Sequence, residues 1–373
     1  MNLNSSSIID YELKEFNGIE VYICKYIRSK FNDIEWDEFL SYDDELVLSI
    51  KPKEPLAPRE LKKKWFSEES VEVESERWLV ITKKEKKIIG RAFLAFYNEN
   101  SALFKDNQFT AETYIDLHPE YRRNGIGTYL LKLVVQKSEQ RKIAKFHSEY
   151  ILECSGEYLK KYGFKIASER NLSKLFFTDI DWDKMNSWCN NLAKEDGCSI
   201  HFFETVPDDI LEEFCNVYTS CGKMAPDYDG DYTACEQHTP ESKRRNEARC
   251  KEDGIIEITA IVKENDGKIS AVTEVAFYKE NPTSIYQELT GVLEEFRKRG
   301  IGKWLKAAMT LHLKKYYPEA VYIETGNNNN NHAMLAINNQ MGFKAVNAHY
   351  LVTGKLEEVK EKLSEKCQID HSI

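Results

Sequence analysis

The sequence predicts an α+β (α/β) fold class, built as two tandem copies of one domain. Three observations carry that expectation. The first is a repeated motif, Arg-x-x-Gly-x-Gly, at Arg122, Gly125 and Gly127 and again at Arg297, Gly300 and Gly302. The second is spacing: 297 − 122 = 175 residues, close to half of the 373-residue chain. The third is context, because each copy follows a strand-like run and opens an amphipathic segment. A Gly-containing turn between strand and helix aims backbone N–H groups at one point, where the helix dipole favours negative charge. One such turn beside an Arg is weak evidence, but two in the same context carry architecture. A dinucleotide fingerprint fits less well, because Leu130 and Leu305 stand where its third Gly belongs.

The elements follow in order. In the first half, strand-like Val21–Ile27 precedes a helix over Trp36–Leu46, and the Pro-rich stretch Lys51–Arg59 reads as loop. Strands are expected at Arg77–Thr82, Ile88–Tyr97 and Thr113–Leu117, followed by the motif helix Tyr129–Lys137. A short strand at Lys145–His147, a helix at Ser155–Tyr162 ended by Gly163-Phe164, and a strand near Leu175–Phe177 complete the half. The second half opens with a helix over Asp181–Lys194, with Asp181 as N-cap and Gly197 beyond its end. Strand Ser199–Phe203 and helix Asp208–Tyr218 follow, then an acidic loop at Pro226–Glu236. Strands Ile255–Lys263 and Lys268–Phe277 flank Asn265-Asp266-Gly267, a hairpin signal. The motif strand Ile285–Leu293 and helix Trp304–Lys315 come next, then strand Ala320–Thr325, helix His332–Met341 ended by Gly342-Phe343, strand Lys344–Val352 and a charged C-terminal helix. The expected domains are therefore 1–178 and 179–373.

Composition narrows the function. At 42% hydrophobic residues, with 20 Tyr, 18 Phe and 6 Trp, the chain has material for two cores. No apolar run approaches the ~20 residues of a membrane helix, and the start Met1–Ser7 lacks signal-peptide character. Nine Cys without Cys-x-x-Cys spacing fit a reducing cytoplasm, and His201, Cys215, Cys221 and Cys235 lack the paired spacing of a zinc site. No metal is expected. A net charge of −10 argues against nucleic-acid binding and is compatible with a cationic acceptor.

Together these residues resemble the tandem-domain GNAT superfamily of acyl-CoA-dependent N-acetyltransferases. The most specific part is Leu117-His118-Pro119-Glu120-Tyr121 ahead of the first motif; the second copy departs, with Glu294 in place of Pro. The family's closing Gly-Phe recurs at Gly163-Phe164 and Gly342-Phe343, and Asn331 lies at the family's spacing from the second. The resemblance implies, in each half, a mixed, mostly antiparallel sheet flanked by helices and splayed where its fourth and fifth strands part. It also implies acetyl-CoA as cosubstrate, up to one per domain. Its pyrophosphate would lie on Arg122, Arg123, Asn124, Gly125, Ile126, Gly127 and Thr128, or on Arg297, Lys298, Arg299, Gly300, Ile301, Gly302 and Lys303, with Asn331 nearby. Leu117 and Val292 would offer strand amides to the pantetheine arm.

The implied reaction, attack of an amine on a thioester, needs a base for the ammonium proton and a group to stabilise the oxyanion. Glu288 is the candidate base; strict alternation puts it on one strand face with Thr290 and Val292. Thr113 stands at its position in the first half. The family's Tyr before Gly-Phe is replaced by Asn338 in the second half and Leu159 in the first, with Tyr158 one residue out of register. Asn338 and Tyr350 are therefore the candidate substitutes, and the second half is the expected catalytic one. Asp227, Asp229, Asp231 and Glu236 in the acidic loop would suit a polyamine, amino sugar or aminopolyol, including aminoglycoside-like antibiotics. Peptide N-acetylation and non-catalytic acyl-CoA sensing are the alternatives, and a monomer or homodimer is expected.

Overall fold

A computed structural model describes residues 1–50, 56–67, 69, 71–101, 104–195, 197–224 and 238–369. The chain forms two compact units, Met1–Ala167 with Tyr350–Ile373, and Ser168–His349.

In unit 1 the strands β1 (Ile8–Phe16), β2 (Ile19–Tyr26), β3 (Val73–Thr82), β4 (Ile88–Tyr97), β5 (Thr110–Leu117) and β6 (Lys145–Tyr150) lie side by side in that order. All neighbours are antiparallel except β5 and β6, which pair in parallel only from Thr110 to Glu112. Beyond that point no β5–β6 rung continues toward Leu117, so the sheet forks there. Helix α1 (Asp33–Ile50) and α2 (Arg59–Ser67) cover one face, α3 (Phe104–Asn107) is a single turn, and α4 (Ile126–Gln140) and α5 (Glu153–Lys161) follow β5 and β6.

Unit 2 repeats this plan. Its strands are β8 (Ser199–Phe203), β9 (Ile255–Lys263), β10 (Ile269–Tyr278), β11 (Asn281–Val292) and β12 (Tyr322–Asn328). Its helices are α6 (Trp182–Glu195), α7 (Leu211–Lys223), α8 (Pro240–Glu252), α9 (Ile301–Tyr316) and α10 (His332–Met341). β11 and β12 pair in parallel only from Ser284 to Tyr286, and the sheet forks again. The turn between β9 and β10 closes on Gly267 at φ +89°, as its sequence requires. Asp181 caps α6 by accepting the Lys184 N–H at 3.0 Å.

The last strand of each half crosses over. β7 (Lys165–Phe176) pairs Arg170–Phe176 with β12, inside unit 2. β13 (Lys344–Lys355) pairs Tyr350–Lys355 with β6, inside unit 1. The C-terminal helix α11 (Leu356–Ile369) follows β13, and Val352, Leu356, Val359 and Leu363 are buried in the same cluster as Leu130 and Val134 of α4. The compact units thus differ from a plain division at residue 178, because a β-ladder and an apolar face join residues distant in sequence.

The elements absent from the sequence reading are β1, α2, α3 and α8. α8 has mostly charged residues, yet it is fixed by a capping box in which Thr239 accepts from the Ser242 N–H and Ser242 accepts from the Thr239 N–H. The acidic loop with Asp227, Asp229, Asp231 and Glu236 lies outside the described residues.

Burying four aliphatic side chains contributes roughly 1.5–3 kcal/mol each, a large share of the 5–15 kcal/mol that stabilises a typical domain. A chain ending at His349 is therefore expected to lose hydrogen-exchange protection in α4 while α9 keeps its own. Equal protection of α4 in the shortened and full chains would refute the crossover.

Candidate active site

The two motif turns have the same backbone. Arg123 and Lys298 are left-handed at φ +65° and +66°, and Gly125 and Gly300 follow at +89° and +82° as N-caps of α4 and α9. Neither N-cap supplies a side-chain acceptor, so the first-turn N–H groups are left to a ligand. Arg122 Nε donates to the Leu117 carbonyl at 3.0 Å, and Arg297 Nε to that of Val292 at 3.1 Å. Each Arg is thereby locked to the end of its strand beside the turn. A turn lined by orphan N–H donors and cations fits a pyrophosphate.

The remaining expected turn residues fall into supporting places. Ile126 and Ile301 are buried. The Asn124 amide donates to the Arg122 carbonyl at 3.2 Å, and Thr128 Oγ1 meets Tyr162 Oη at 2.8 Å. Arg299 Nη1 pairs with Glu264 at 3.0 Å, and Lys303 Nζ lies 5.5 Å from the Trp188 ring centre. At the second glycine a Cβ would find ordinary van der Waals contact, with Leu117 and Tyr158 at Gly127 and with Ile337 and Val292 at Gly302. Tyr158 donates to the Gly127 carbonyl at 2.8 Å, so it braces the turn. Asn331 caps α10, accepting from the Met334 N–H at 3.2 Å.

The two forks differ where chemistry would occur. In unit 1, β4 and β5 pair without interruption from Gly90–Leu117 to Ala95–Glu112. Thr113 is buried and donates to the Phe93 carbonyl at 3.0 Å. In unit 2 the β10–β11 ladder slips. Thr290 stands opposite Thr273 but Gln287 stands opposite Val275, so Glu288 and Leu289 together face Glu274. That is a β-bulge, a device that re-aims side chains. It corrects the alternation expected for Glu288. Thr290 and Gln287 bond to Thr273, and Val292 packs with the α9-side core. Leu289 packs on α7, and Glu288 turns with it toward the α7 side.

Glu288 there enters a charged cluster that sequence reasoning missed. Lys243 of α8 is buried against Glu257 of β9 and Glu274 of β10, the latter at 2.6 Å. Glu274 also accepts from Thr259 Oγ1 at 2.7 Å. Burial works against the charge on Lys243, but Glu274 and then Glu257 outweigh it and keep the ammonium protonated. Among the described residues Lys243 pairs with both carboxylates, and Glu288 is a third beside them. Glu288 is an exposed residue of β11, but protein crowds its carboxyl on one side, and that crowding, followed by the charges of Glu274 and Glu257, pushes it up to about 7. Burial, then Glu274 and Glu288, raises the Tyr218 hydroxyl of α7 well above its ordinary value. The one visible signal for the cluster was Glu274 itself, a carboxylate inside the apolar run Ile269–Phe277.

The other candidates separate. Asn338 is buried on α10; its amide donates to Asn327 Oδ1 at 2.6 Å, while its own Oδ1 is buried with no hydrogen-bond partner. Tyr350 belongs to unit 1, stacked on Tyr150 with ring centres 4.7 Å apart, and is not in the unit that holds Glu288 and Asn338. An open acidic pocket of about 710 Å³ lies between α7 and Leu293–Glu295, but Glu288 does not line it. Among the described residues no group of His, Cys, Asp and Glu could hold a metal. No described helix is long and apolar enough to cross a membrane.

Residues 30–154, which contain the first motif turn, match the acetyltransferase (GNAT) family. The chain carries a GNAT acetyltransferase domain. That domain belongs to an acetyltransferase family whose donor is acetyl-CoA. Similar solved structures extend the GNAT fold over both halves. A tandem GNAT protein from the clavulanic acid biosynthesis pathway has a TM-score of 0.67 at 18% identity, covering 90% of this chain and 98% of that one. A GCN5-related N-acetyltransferase from Sphaerobacter thermophilus has a TM-score of 0.62 at 12% identity, covering 90% and 96%. A glucosamine N-acetyltransferase region in a fungal multi-domain β-N-acetylglucosaminidase has a TM-score of 0.61 at 13% identity, over 38% of that chain. No curated protein matches.

Two predictions follow from the geometry. A Cβ at Gly125 meets only Phe16 at 3.7 Å, so Gly125→Ala is strained by its backbone alone. It should cost about 1–2 kcal/mol and weaken acetyl-CoA binding, read by melting and calorimetry. Glu288 titrates at about 7 in the folded chain but at about 4.3 when unfolded. The folded state keeps the proton longer, so Glu288 lowers stability as pH rises through that window. Glu288→Gln should therefore melt higher than wild type at pH 8 and no higher at pH 4.

Proposed function

We propose that this GNAT protein is an acetyl-CoA-dependent N-acetyltransferase whose catalytic unit is unit 2, and that it acetylates a primary amine on a small cationic molecule. The observation that carries the reading is the bulge that turns Glu288 toward Glu274 and Glu257. With Lys243 in balance among the described residues, the cluster carries excess negative charge and favours either a proton or a cationic group beside it. An ammonium-bearing acceptor supplies both: its charge is attracted, and Glu288, titrating near neutrality, takes its proton.

Acetyl-CoA supplies the activated acyl group when bound. The N–H groups of the Lys298–Lys303 turn would hold its pyrophosphate, and the open edge of β11 beyond Tyr286 would receive its pantetheine arm. The unpartnered Asn338 Oδ1 is an acceptor available to a thiol or water at the fork. Unit 1 has no carboxylate at the matching position, only the satisfied hydroxyl of Thr113, which supports a binding or structural role for that half. The excess negative charge suits polyamines, amino sugars and aminopolyols, with aminopolyol or aminoglycoside-like antibiotics as specific acceptors in a resistance role. Peptide N-acetylation has no such motive in the cluster.

The test is release of free thiol from acetyl-CoA against a panel of aminoglycosides, aminopolyols, polyamines and short peptides. Turnover with a cationic small molecule is expected, with an acidic limb near pH 7. Glu288→Gln should lower kcat by about 10²–10⁴, and Thr113→Val should leave it unchanged. Full activity in Glu288→Gln, or loss in Thr113→Val with the fold intact, would move the chemistry out of unit 2.

A further inference from the structure

Unit 1 carries a cationic cluster on the face covered by α1 and α2. Arg28, just after β2, Arg77 on β3 and Arg91 on β4 converge there. Arg91 is satisfied, with Nε on Asp116 at 2.8 Å and Nη1 on Asp43 at 3.0 Å. Arg28 and Arg77 are not. Arg28 makes no ion pair among the described residues, and its Nε is buried without a hydrogen-bond partner. Arg77 reaches Glu69 only at 3.9 Å, and its Nε is likewise buried and unpartnered.

Aromatic rings lie beside them. The Arg28 and Arg91 guanidiniums each lie 5.5 Å from the centre of Phe66 on α2, and Arg77 lies 5.5 Å from that of Phe93. These contacts offset part of the cost of desolvation. They provide no acceptor for the buried N–H groups, which stay desolvated without a hydrogen bond. Burial, then the positive charges of Arg77 and Arg91, lowers the Arg28 guanidinium to about 10. Cross-strand pairing continues the row from Arg77 through Phe93 to Tyr114, next to Thr113 at the fork.

We propose that this cluster binds the oxyanion group, carboxylate or phosphate, of a small-molecule ligand, with Arg28 and Arg77 as the donors and Phe66 and Phe93 beside them. A planar oxyanion takes two guanidinium donors at once, which an isolated cation–π contact does not achieve. The inference stands apart from catalysis in unit 2, since no residue is shared.

The test uses the full chain with saturating coenzyme A, so that the turns are not counted as anion sites. Inorganic phosphate and malonate are titrated separately by calorimetry. Saturable binding of one of them is expected, and the preferred anion identifies the group. Arg28→Met and Arg77→Met should each weaken it at least tenfold, and Arg141→Gln, whose partner Glu74 lies at 2.8 Å on the surface, should not. Without anion, Arg28→Met should melt no lower than wild type, because it removes an uncompensated charge. Equal affinity in wild type and Arg28→Met, or no saturable binding of either anion, overturns the proposal. If a methionine variant fails to fold, Arg28→Lys keeps the charge but loses the fork, and its unchanged affinity would overturn the proposal equally.

Discussion

Lys243 holds Glu257 and Glu274 together in the interior of unit 2, and much of what that unit can do depends on this contact. Removing water from two carboxylates is affordable only with a buried cation between them. With one cation against two anions, and a third carboxylate turned toward them by the bulge in β11, the cluster resists further ionisation. That resistance makes Glu288 basic enough to accept a proton near neutral pH. The same imbalance would draw in an ammonium. In the proposed reaction, acceptor attraction and proton removal would have a common electrostatic origin.

The two units show how one fold diverges at a fork. Both keep the turn geometry, down to a left-handed Arg123 or Lys298 before the capping glycine, and both keep Arg122 or Arg297 tied to the strand carbonyl. These features answer to phosphate and to helix geometry, so they repeat. The strands beside them have diverged. β5 is regular and ends its chemistry in a buried Thr113, whereas β11 is bulged and presents Glu288. The charges on the helix-covered faces have diverged too, cationic around Arg28 and Arg77, anionic around Glu274.

Much of the fold was legible in the sequence because its signals are local. The repeated Arg-x-x-Gly-x-Gly, the Asn-Asp-Gly hairpin, the closing Gly-Phe pairs and the Asp181 cap each act within a few residues. What was not legible is non-local. The crossover of β7 and β13 depends on ladder partners far away along the chain, and either strand alone has the same apolar character in both arrangements. The bulge escapes an alternation argument by definition, since it breaks the period on which that argument rests. Helix α8 was missed because its stability comes from a buried ion pair and a capping box, not from an apolar stripe. Glu274 was the available clue to the site, because a carboxylate inside an apolar strand must find a partner.

The measurement that reaches the central claim most directly is the titration of Glu288 itself, followed by carbon-13 NMR of side-chain-labelled glutamate and assigned by its absence in Glu288→Gln. A midpoint near 7 is expected, falling toward an ordinary carboxylate value in Glu274→Gln, where one of the opposing charges is gone. A midpoint at the ordinary value in the unaltered chain would leave Glu288 without the basicity for the proton it is proposed to take, and would remove it as the base.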